Sequence, residues 1–264
     1  MTTEVAAKLD GLYVYCIARG PGDYPLGPIG LDGQEVYTLA SGDLCAVVQN
    51  RRAETCRSEE PDTIEGWVLV HQQVVTAATE AFGTVLPMSF NMIVAASEDG
   101  GAAENLGVWL DEKQHTFTYL LDKLAGKAEY GVQVFWDPEV ITAALVQRDP
   151  ELRRIRDDAR TKPKGLAYML QQTLAKAARA ALEAEASRRV ENFYGQIRGC
   201  VEDIRVDHLK KTDNGRQMLL NLSCLMDQGA AGVLGRVLDE IEKTEGVSVR
   251  FTGPWPPYNF VTAG

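Results

Sequence analysis

The sequence predicts an α+β protein of two domains. These are an acidic α+β domain at 1–126 and a C-terminal domain at 127–264, built as a modified ferredoxin-like sandwich with inserted long helices. Segments with alternating apolar residues interchange with segments of helical period. The charge is uneven, since residues 1–125 carry 7 Lys and Arg against 18 Asp and Glu, whereas residues 126–264 carry 20 against 19. An alanine-rich segment at 166–197, without proline, predicts a helix of about 30 residues.

The N-terminal domain begins with a predicted strand, "LYVYCIA" at 12–18, which is rich in aromatic and β-branched residues. Glycine and proline are frequent at 19–33, which predicts a long ordered loop. Residues 35–50 predict a hairpin that turns at Ser41-Gly42-Asp43. The domain therefore opens with three strands.

Helical spacing follows at 63–82, where His71 shares the apolar face and Asp62 or Thr63 can cap the helix. The apolar segment 83–94 is predicted to be extended, and Pro87 within it favours an edge strand or a bulge. A second helix is predicted within 97–126, with Gly126 as its C-terminal cap.

The C-terminal domain is predicted to run strand, helices, strand, helix, strand. Its strands lie at 128–137, 216–226 and 246–254, and a helix spans 229–245. The long helix carries an apolar stripe with small residues that permits close packing on a neighbour, formed by Leu166, Leu170, Leu174, Ala177, Ala181, Ala184 and Val190. This order predicts a sheet with helices on one face and a ferredoxin-like plan.

The composition argues against two classes of partner. The longest apolar stretches are far shorter than the roughly 20 residues of a membrane span, and the N-terminus lacks the pattern of a signal peptide. We therefore expect an intracellular protein that binds no membrane. The acidic N-terminal half would repel phosphates, so we also expect no nucleic-acid binding.

Signals of catalysis are scarce, and we expect neither an enzyme nor a bound cofactor or metal. The three histidines, His71, His115 and His208, have no partner at metal-ligand spacing, and each is predicted to lie on a surface or helix flank. No GxGxxG, Walker or GxSxG motif occurs. The five cysteines form no CxxC pair, and Cys16, Cys45 and Cys224 are predicted to be core residues.

The most unusual stretch is "GPWPPYNFV" at 253–261, where prolines and aromatic residues crowd together. Gly253-Pro254 is predicted to end the last strand, after which the tail leaves as a stiff polyproline-like arm. It either pins the C-terminus onto the body of the protein or serves as a preorganised arm that binds a partner. The candidate docking or partner-contact residues are Pro254, Trp255, Pro256, Pro257, Tyr258 and Phe260.

Four segments, in this order, resemble the GvpF/GvpL family of gas vesicle proteins: "LYVYCIA", "VLPMSFNMIV", "GVQVFWD" and "RFTGPWPPYNFV". The last is the most specific, and the resemblance spans residues 12–261. It departs at Ser89 and Asn91, where the family more often has a basic residue and a glycine.

The resemblance implies a non-enzymatic, minor structural protein needed for gas vesicle assembly. Its implied partners are the main shell protein, GvpA, and other accessory proteins, and its implied location is the cytoplasm and the gas vesicle. It also implies two α+β domains, the second a modified ferredoxin-like arrangement. The alternative left open by the residues is a ferredoxin-like module that binds a small molecule such as haem or a nucleotide, or an enzyme of that kind.

Overall fold

The computed structural model describes residues 9–212 and 215–261. Their contacts form two compact units. Unit 1 comprises the described residues up to Ala128 together with those from Trp255 onward, and unit 2 comprises Glu129–Pro254. The sequence placed the division at 126/127 and gave the whole tail to the second domain, whereas the tail from Trp255 groups with unit 1.

Unit 1 contains a six-stranded sheet and two helices. Its order along the sheet is β2-β3-β4-β1-β5, with β6 also paired to β1. The elements are β1 (Gly11–Arg19), β2 (Pro25–Gly27), β3 (Val36–Ser41), β4 (Leu44–Arg51), α1 (Pro61–Phe82), β5 (Val85–Pro87), β6 (Ile93–Ala95) and α2 (Ala102–Leu124).

Strand β1 is the centre of this sheet. It pairs antiparallel with β4 on one side and with β5 and β6 on the other. Both helices pack against it, and all of its residues except Arg19 are buried. The predicted hairpin and its turn at Gly42, which has a φ of 59°, are confirmed. Pro87 lies in β5 at the edge of the sheet, also as predicted.

Two local predictions in unit 1 need correction. The loop at 19–33 contains a short strand, β2, and one turn of 3-10 helix at Leu31–Gly33. Helix α1 begins at Pro61 rather than after Asp62 or Thr63, because proline suits the first helical position, which needs no N–H partner. Its N-cap is Glu60, whose side chain makes no capping hydrogen bond.

Unit 2 contains a four-stranded sheet of order β10-β7-β9-β8. Strand β7 begins two residues before the unit, and β10 ends one residue after it. The elements are β7 (Lys127–Trp136), α3 (Pro138–Arg148), α4 (Pro150–Thr161), α5 (Lys164–Arg198), β8 (Asp203–Val206), β9 (Gln217–Asp227), α6 (Ala231–Glu242) and β10 (Val247–Trp255).

Two helices of unit 2, α3 and α4, begin at clear sequence signals. Asp137 and Asp149 each accept two backbone N–H groups at the start of α3 and α4, and a proline follows each of them. Helix α5 is the predicted long helix. Its fully buried residues are not the predicted small stripe but Ala178, Arg189, Phe193 and Ile197, which lie mostly in its C-terminal half.

The strands of unit 2 depart from the simple alternation that the sequence predicted. Strand β9 is buried on both faces, so Asn221 and Ser223 are buried polar residues. Strand β10 lies at the sheet edge and is only partly buried. Its Phe251 is 39% exposed and stacks on Tyr130 with the ring centroids 5.5 Å apart.

The structure confirms a protein of mixed helices and sheets, and it confirms that Cys16, Cys45 and Cys224 are core residues. Among the described residues, no helix combines the length and the apolar character that a membrane crossing requires. Within 9–212 and 215–261, no group of three or more His, Cys, Asp and Glu side chains is placed to hold a metal ion.

Candidate functional site

The most developed polar arrangement in unit 1 is built around five rings, which we call the aromatic cluster: Tyr13, Tyr15, His71, Phe90 and Tyr258. Strand β1 supplies Tyr13 and Tyr15, whose ring centroids are 4.8 Å apart. His71, from α1, lies 5.7 Å from Tyr13 and 5.3 Å from Tyr15. Phe90 lies 6.1 Å from His71 and Tyr258 lies 6.3 Å from it. Three distant parts of the chain thus meet at one imidazole.

A chain of hydrogen bonds fixes the tautomer of His71. Its Nε2 faces the carbonyl oxygen of Met88 at 3.1 Å, and because a carbonyl only accepts, Nε2 carries the proton. Its Nδ1 then accepts from the Tyr13 hydroxyl at 2.8 Å. That hydroxyl accepts in turn from the backbone N–H of Asn91 at 3.1 Å. Each imidazole nitrogen therefore has one defined role, and the Tyr13 hydroxyl both donates and accepts.

Burial controls the charge of this cluster. It lowers the pKa of His71 from 6.5 to about 4, although the bond to the Met88 carbonyl acts in the opposite direction. Burial likewise raises the pKa of Tyr13 and Tyr15 far above the ordinary value. All three groups are therefore neutral near pH 7. Since both imidazole nitrogens are bonded within the protein, this arrangement is suited to holding the fold rather than to transferring protons.

A second buried network lies beside the cluster. The Tyr15 hydroxyl donates to Gln49 Oε1, and the backbone N–H of Leu31 donates to the same oxygen at 2.8 Å. Gln49 is almost fully buried. Its side chain therefore anchors the loop before β3 to the centre of the sheet.

Asn91 connects the cluster to the loop after β4. Its Oδ1 accepts from the Cys56 N–H at 2.8 Å, and its Nδ2 donates to the Cys56 carbonyl at 3.1 Å. The backbone φ of Asn91 is 71°, in the left-handed region that favours glycine and that asparagine also tolerates. One residue thus makes the turn between β5 and β6 and also holds the loop.

The structure divides the predicted tail residues into two groups. Pro254 and Trp255 are exposed members of β10, so this strand does not end at Gly253-Pro254. Trp255 is 48% exposed. Pro256 and Tyr258 are half-buried, whereas Pro257 is buried and Phe260 is only 3% exposed.

The end of the tail is a turn rather than a polyproline-like arm. A 3-10 turn spans Tyr258–Phe260, closed by a bond of 3.1 Å from the Phe260 N–H to the Pro257 carbonyl. Within unit 1, Tyr258 packs against the core that contains the aromatic cluster. The turn therefore directs aromatic residues inward after the strand has ended.

The prediction that His71 lies on a surface or helix flank was wrong, since only 2% of the residue is exposed. A signal was present in the sequence. His71 lies four residues after Trp67 and four before Val75, on the apolar face of α1. Tyr13, Gln49 and Asn91 carried no comparable signal, because their partners are distant in sequence.

In unit 2, the first turns of α5 present an exposed apolar patch, formed by Leu166, Tyr168 and Met169. The last two are 62% and 66% exposed. Large apolar side chains this exposed, next to one another on one helix, are unusual enough to suggest a contact surface.

Comparison with known proteins gives consistent results. The family model described as gas vesicle synthesis protein GvpL/GvpF matches residues 11–262. Gas vesicle protein L of Haloferax mediterranei is 32% identical over 241 residues, which is 88% of this chain and 72% of the relative. Gas vesicle protein L1 of Halobacterium salinarum is 30% identical over 264 residues, covering 95% of this chain and 90% of the relative. Gas vesicle protein F of a Streptomyces species is 31% identical, covering 94% and 98%.

Two solved structures share the fold. The crystal structure of GvpF from Anabaena sp. PCC7120 aligns with a TM-score of 0.74 at 20% identity, covering 97% of this chain and 99% of that one. The GvpF structure from Microcystis aeruginosa gives a TM-score of 0.66 at 18% identity, covering 96% and 99%. The match extends over the elements of both units.

Proposed function

This chain belongs to the GvpL/GvpF family of gas vesicle synthesis proteins, and on that premise we propose that it is a minor accessory protein of gas vesicle assembly. We infer that it acts in the cytoplasm and at the gas vesicle, by binding the main shell protein, GvpA, or other accessory proteins. The observation that carries the proposal is the family match, which spans residues 11–262 rather than one shared module.

We further propose that the two units are domains, and that unit 2 is a modified ferredoxin-like domain. The strand order β10-β7-β9-β8 supports this, because it places the first and third strands of the unit side by side at the centre. Helices α3 to α5 stand where a ferredoxin-like plan has its first helix, and α6 stands in place of the second. The presence of three helices, α3 to α5, at the place of one would then distinguish this domain from a standard ferredoxin-like domain.

A binding role requires a surface that can cover apolar groups of a partner. Shell-protein monomers that expose apolar surface would aggregate before assembly, and a helix or a sheet edge can cover such surface. The exposed patch of Leu166, Tyr168 and Met169 supports α5 as that surface. The edge strands β5 and β8 offer a second mode, strand addition.

A non-enzymatic role also accords with the aromatic cluster. Its one buried histidine is neutral near pH 7, and both of its nitrogens bond within the protein. The relatives that match are named as gas vesicle proteins.

A pull-down with GvpA under conditions that keep the shell protein soluble tests the proposal. We expect the wild-type chain to retain GvpA and the double variant Tyr168→Ser, Met169→Ser to retain much less. Tyr119→Ser is the matched control, because Tyr119 is equally exposed on a helix of unit 1. If wild type fails to retain both GvpA and the other gas vesicle accessory proteins, the binding role is wrong. Equal loss in the control and the double variant would exclude α5 as the surface.

A further inference from the structure

Unit 1 contains a cleft that the assembly role does not explain. Its volume is about 570 Å³, within the range of small-molecule sites. It lies between the end of β4, the loop that follows, and Trp67 of α1. The side chains that line its charged part are Asp32, Arg51, Arg52, Glu54 and Arg57.

One cationic side chain that lines the cleft, Arg51, is half-buried. Nη1 of Arg51 is inaccessible to solvent and has no hydrogen-bond partner among the described residues. A buried donor left without an acceptor is costly, and because Arg51 also lines the cleft, an acceptor bound there would offset part of this cost. Gln49 and Cys56, both buried, line the same cleft.

Two further arginines stand at the exposed rim. Neither Arg52 nor Arg57 forms an ion pair within residues 9–212 and 215–261, although ion pairs occur elsewhere in the same set. The side chain of Arg57 donates to the hydroxyl of Thr55 at 3.1 Å. Asp32 and Glu54 line the same cleft, so the charge of the lining side chains is positive by one.

The loop that carries these arginines is held in place. Asn91 bonds to both backbone polar groups of Cys56. At the other end, the N–H of Ala53 donates to Asp10 at 3.0 Å, and Gly11 lies so close to Ala53 that a Cβ there would come within 2.9 Å of its Cα. A loop fixed at both ends presents its charges without a large ordering cost on binding.

We propose that this cleft binds a small organic carboxylate, with Arg51 as the inner anchor and Arg52 and Arg57 at the rim. The planar guanidinium donates two parallel hydrogen bonds that match a carboxylate. The single excess positive charge favours a singly charged head group over a phosphate, which carries more negative charge. Half-buried Trp67 supplies an apolar wall for the rest of the molecule.

The test is a calorimetric or NMR titration of the full chain with sodium benzoate at constant ionic strength. Benzamide, which has the same shape without the charge, and inorganic phosphate serve as comparison ligands. We expect benzoate to bind more tightly than either of them, with shifts confined to residues of the cleft. Absence of benzoate binding beyond that of benzamide, or tighter binding of phosphate, would overturn the proposal.

Substitutions of the cleft arginines test whether Arg51 is the anchor of the carboxylate. Arg51→Gln should weaken benzoate binding roughly 10- to 100-fold, the range for one charge-assisted hydrogen bond, and Arg57→Gln only several-fold. Arg250→Gln, which removes an exposed arginine of unit 2, should have no effect. If circular dichroism shows that Arg51→Gln alters the fold, the rim variant Arg57→Gln tests the proposal instead, because the side chain of Arg57 is exposed. Unchanged affinity in Arg57→Gln and in any folded Arg51 variant would refute the assignment.

Discussion

The buried histidine of the aromatic cluster predicts how stability depends on pH. The pKa of His71 is about 4 in the folded protein, against 6.5 for the free side chain. Acidification therefore protonates the unfolded chain first, and stability falls as the pH falls from 6.5 towards 4. Linkage between these two values gives a loss of about 2 kcal/mol in the free energy of unfolding between pH 7 and pH 5.

The structural cause is the direction of the hydrogen bonds. A second proton on the imidazole would lie on Nδ1 and point at the Tyr13 hydroxyl, which now donates to that nitrogen. The hydroxyl would have to turn away, and it already accepts from the N–H of Asn91. The charge would also be buried among neutral rings, where solvation is lost.

Urea unfolding at pH 7 and pH 5 measures this effect in wild type and in His71→Gln. The variant should be less stable at pH 7, yet lose about 2 kcal/mol less than wild type on going to pH 5. His115→Gln, which removes an exposed histidine of the same unit, should leave the wild-type pH dependence unchanged. If wild type and His71→Gln lose the same free energy over this interval, the buried neutral histidine is not the cause.

Three further predictions concern the tail, the side chain of Asn91 and the cysteine thiols. Phe260→Ala should cost about 3 kcal/mol or more in urea unfolding, because it empties a buried site, whereas Trp255→Ala should cost about 1 kcal/mol; equal costs would contradict the division of the tail into a buried and an exposed group. Asn91→Ala should lower the free energy of unfolding by about 2 kcal/mol, because it removes both hydrogen bonds to the Cys56 backbone and places alanine at positive φ. A change below ~0.5 kcal/mol in the same assay would mean that Asn91 does not hold the loop after β4. Under native conditions a thiol reagent should label half-exposed Cys200 well before the four buried cysteines, and prior labelling at Cys16, detected by peptide mass spectrometry, would be inconsistent with the core.

The sequence predicted those elements whose signals are local. Aromatic and β-branched residues indicated β1, the turn at Ser41-Gly42-Asp43 indicated the hairpin of β3 and β4, and the helical period indicated α1 and α2. The long helix was evident because alanine-rich segments without proline favour helix strongly. These signals depend only on neighbouring residues.

The misses share one cause, which is dependence on distant partners. Strand β8 was not predicted because "DIRV" is short and charged, and it is a strand only by pairing with β9. The buried polar residues of β9 are satisfied by distant groups; Asn221 accepts from Gln133 and donates to the His208 carbonyl. No local pattern carries that information.

The same dependence on distant partners explains why the candidate site could be predicted only in part. The tail was singled out for its composition, but its inward and outward residues could not be told apart without the turn at Tyr258–Phe260. His71 shared an apolar face, yet its burial required the tyrosines of β1 as partners. The Arg51 cleft had no sequence signal, because it combines β4, its following loop and α1.

The packing of Tyr258 against the core of unit 1 has a consequence for biosynthesis. Ribosomes add roughly 5–20 residues per second, and domains usually fold in the order in which they emerge. Here all of unit 2 must be translated between His71 and the ring that packs beside it. The N-terminal part of unit 1 therefore keeps some of its apolar surface uncovered while unit 2 is translated, for roughly 6–25 seconds at these rates. Nascent chains stalled before the tail should bind general chaperones through unit 1, and release should follow when the last aromatic residues leave the exit tunnel.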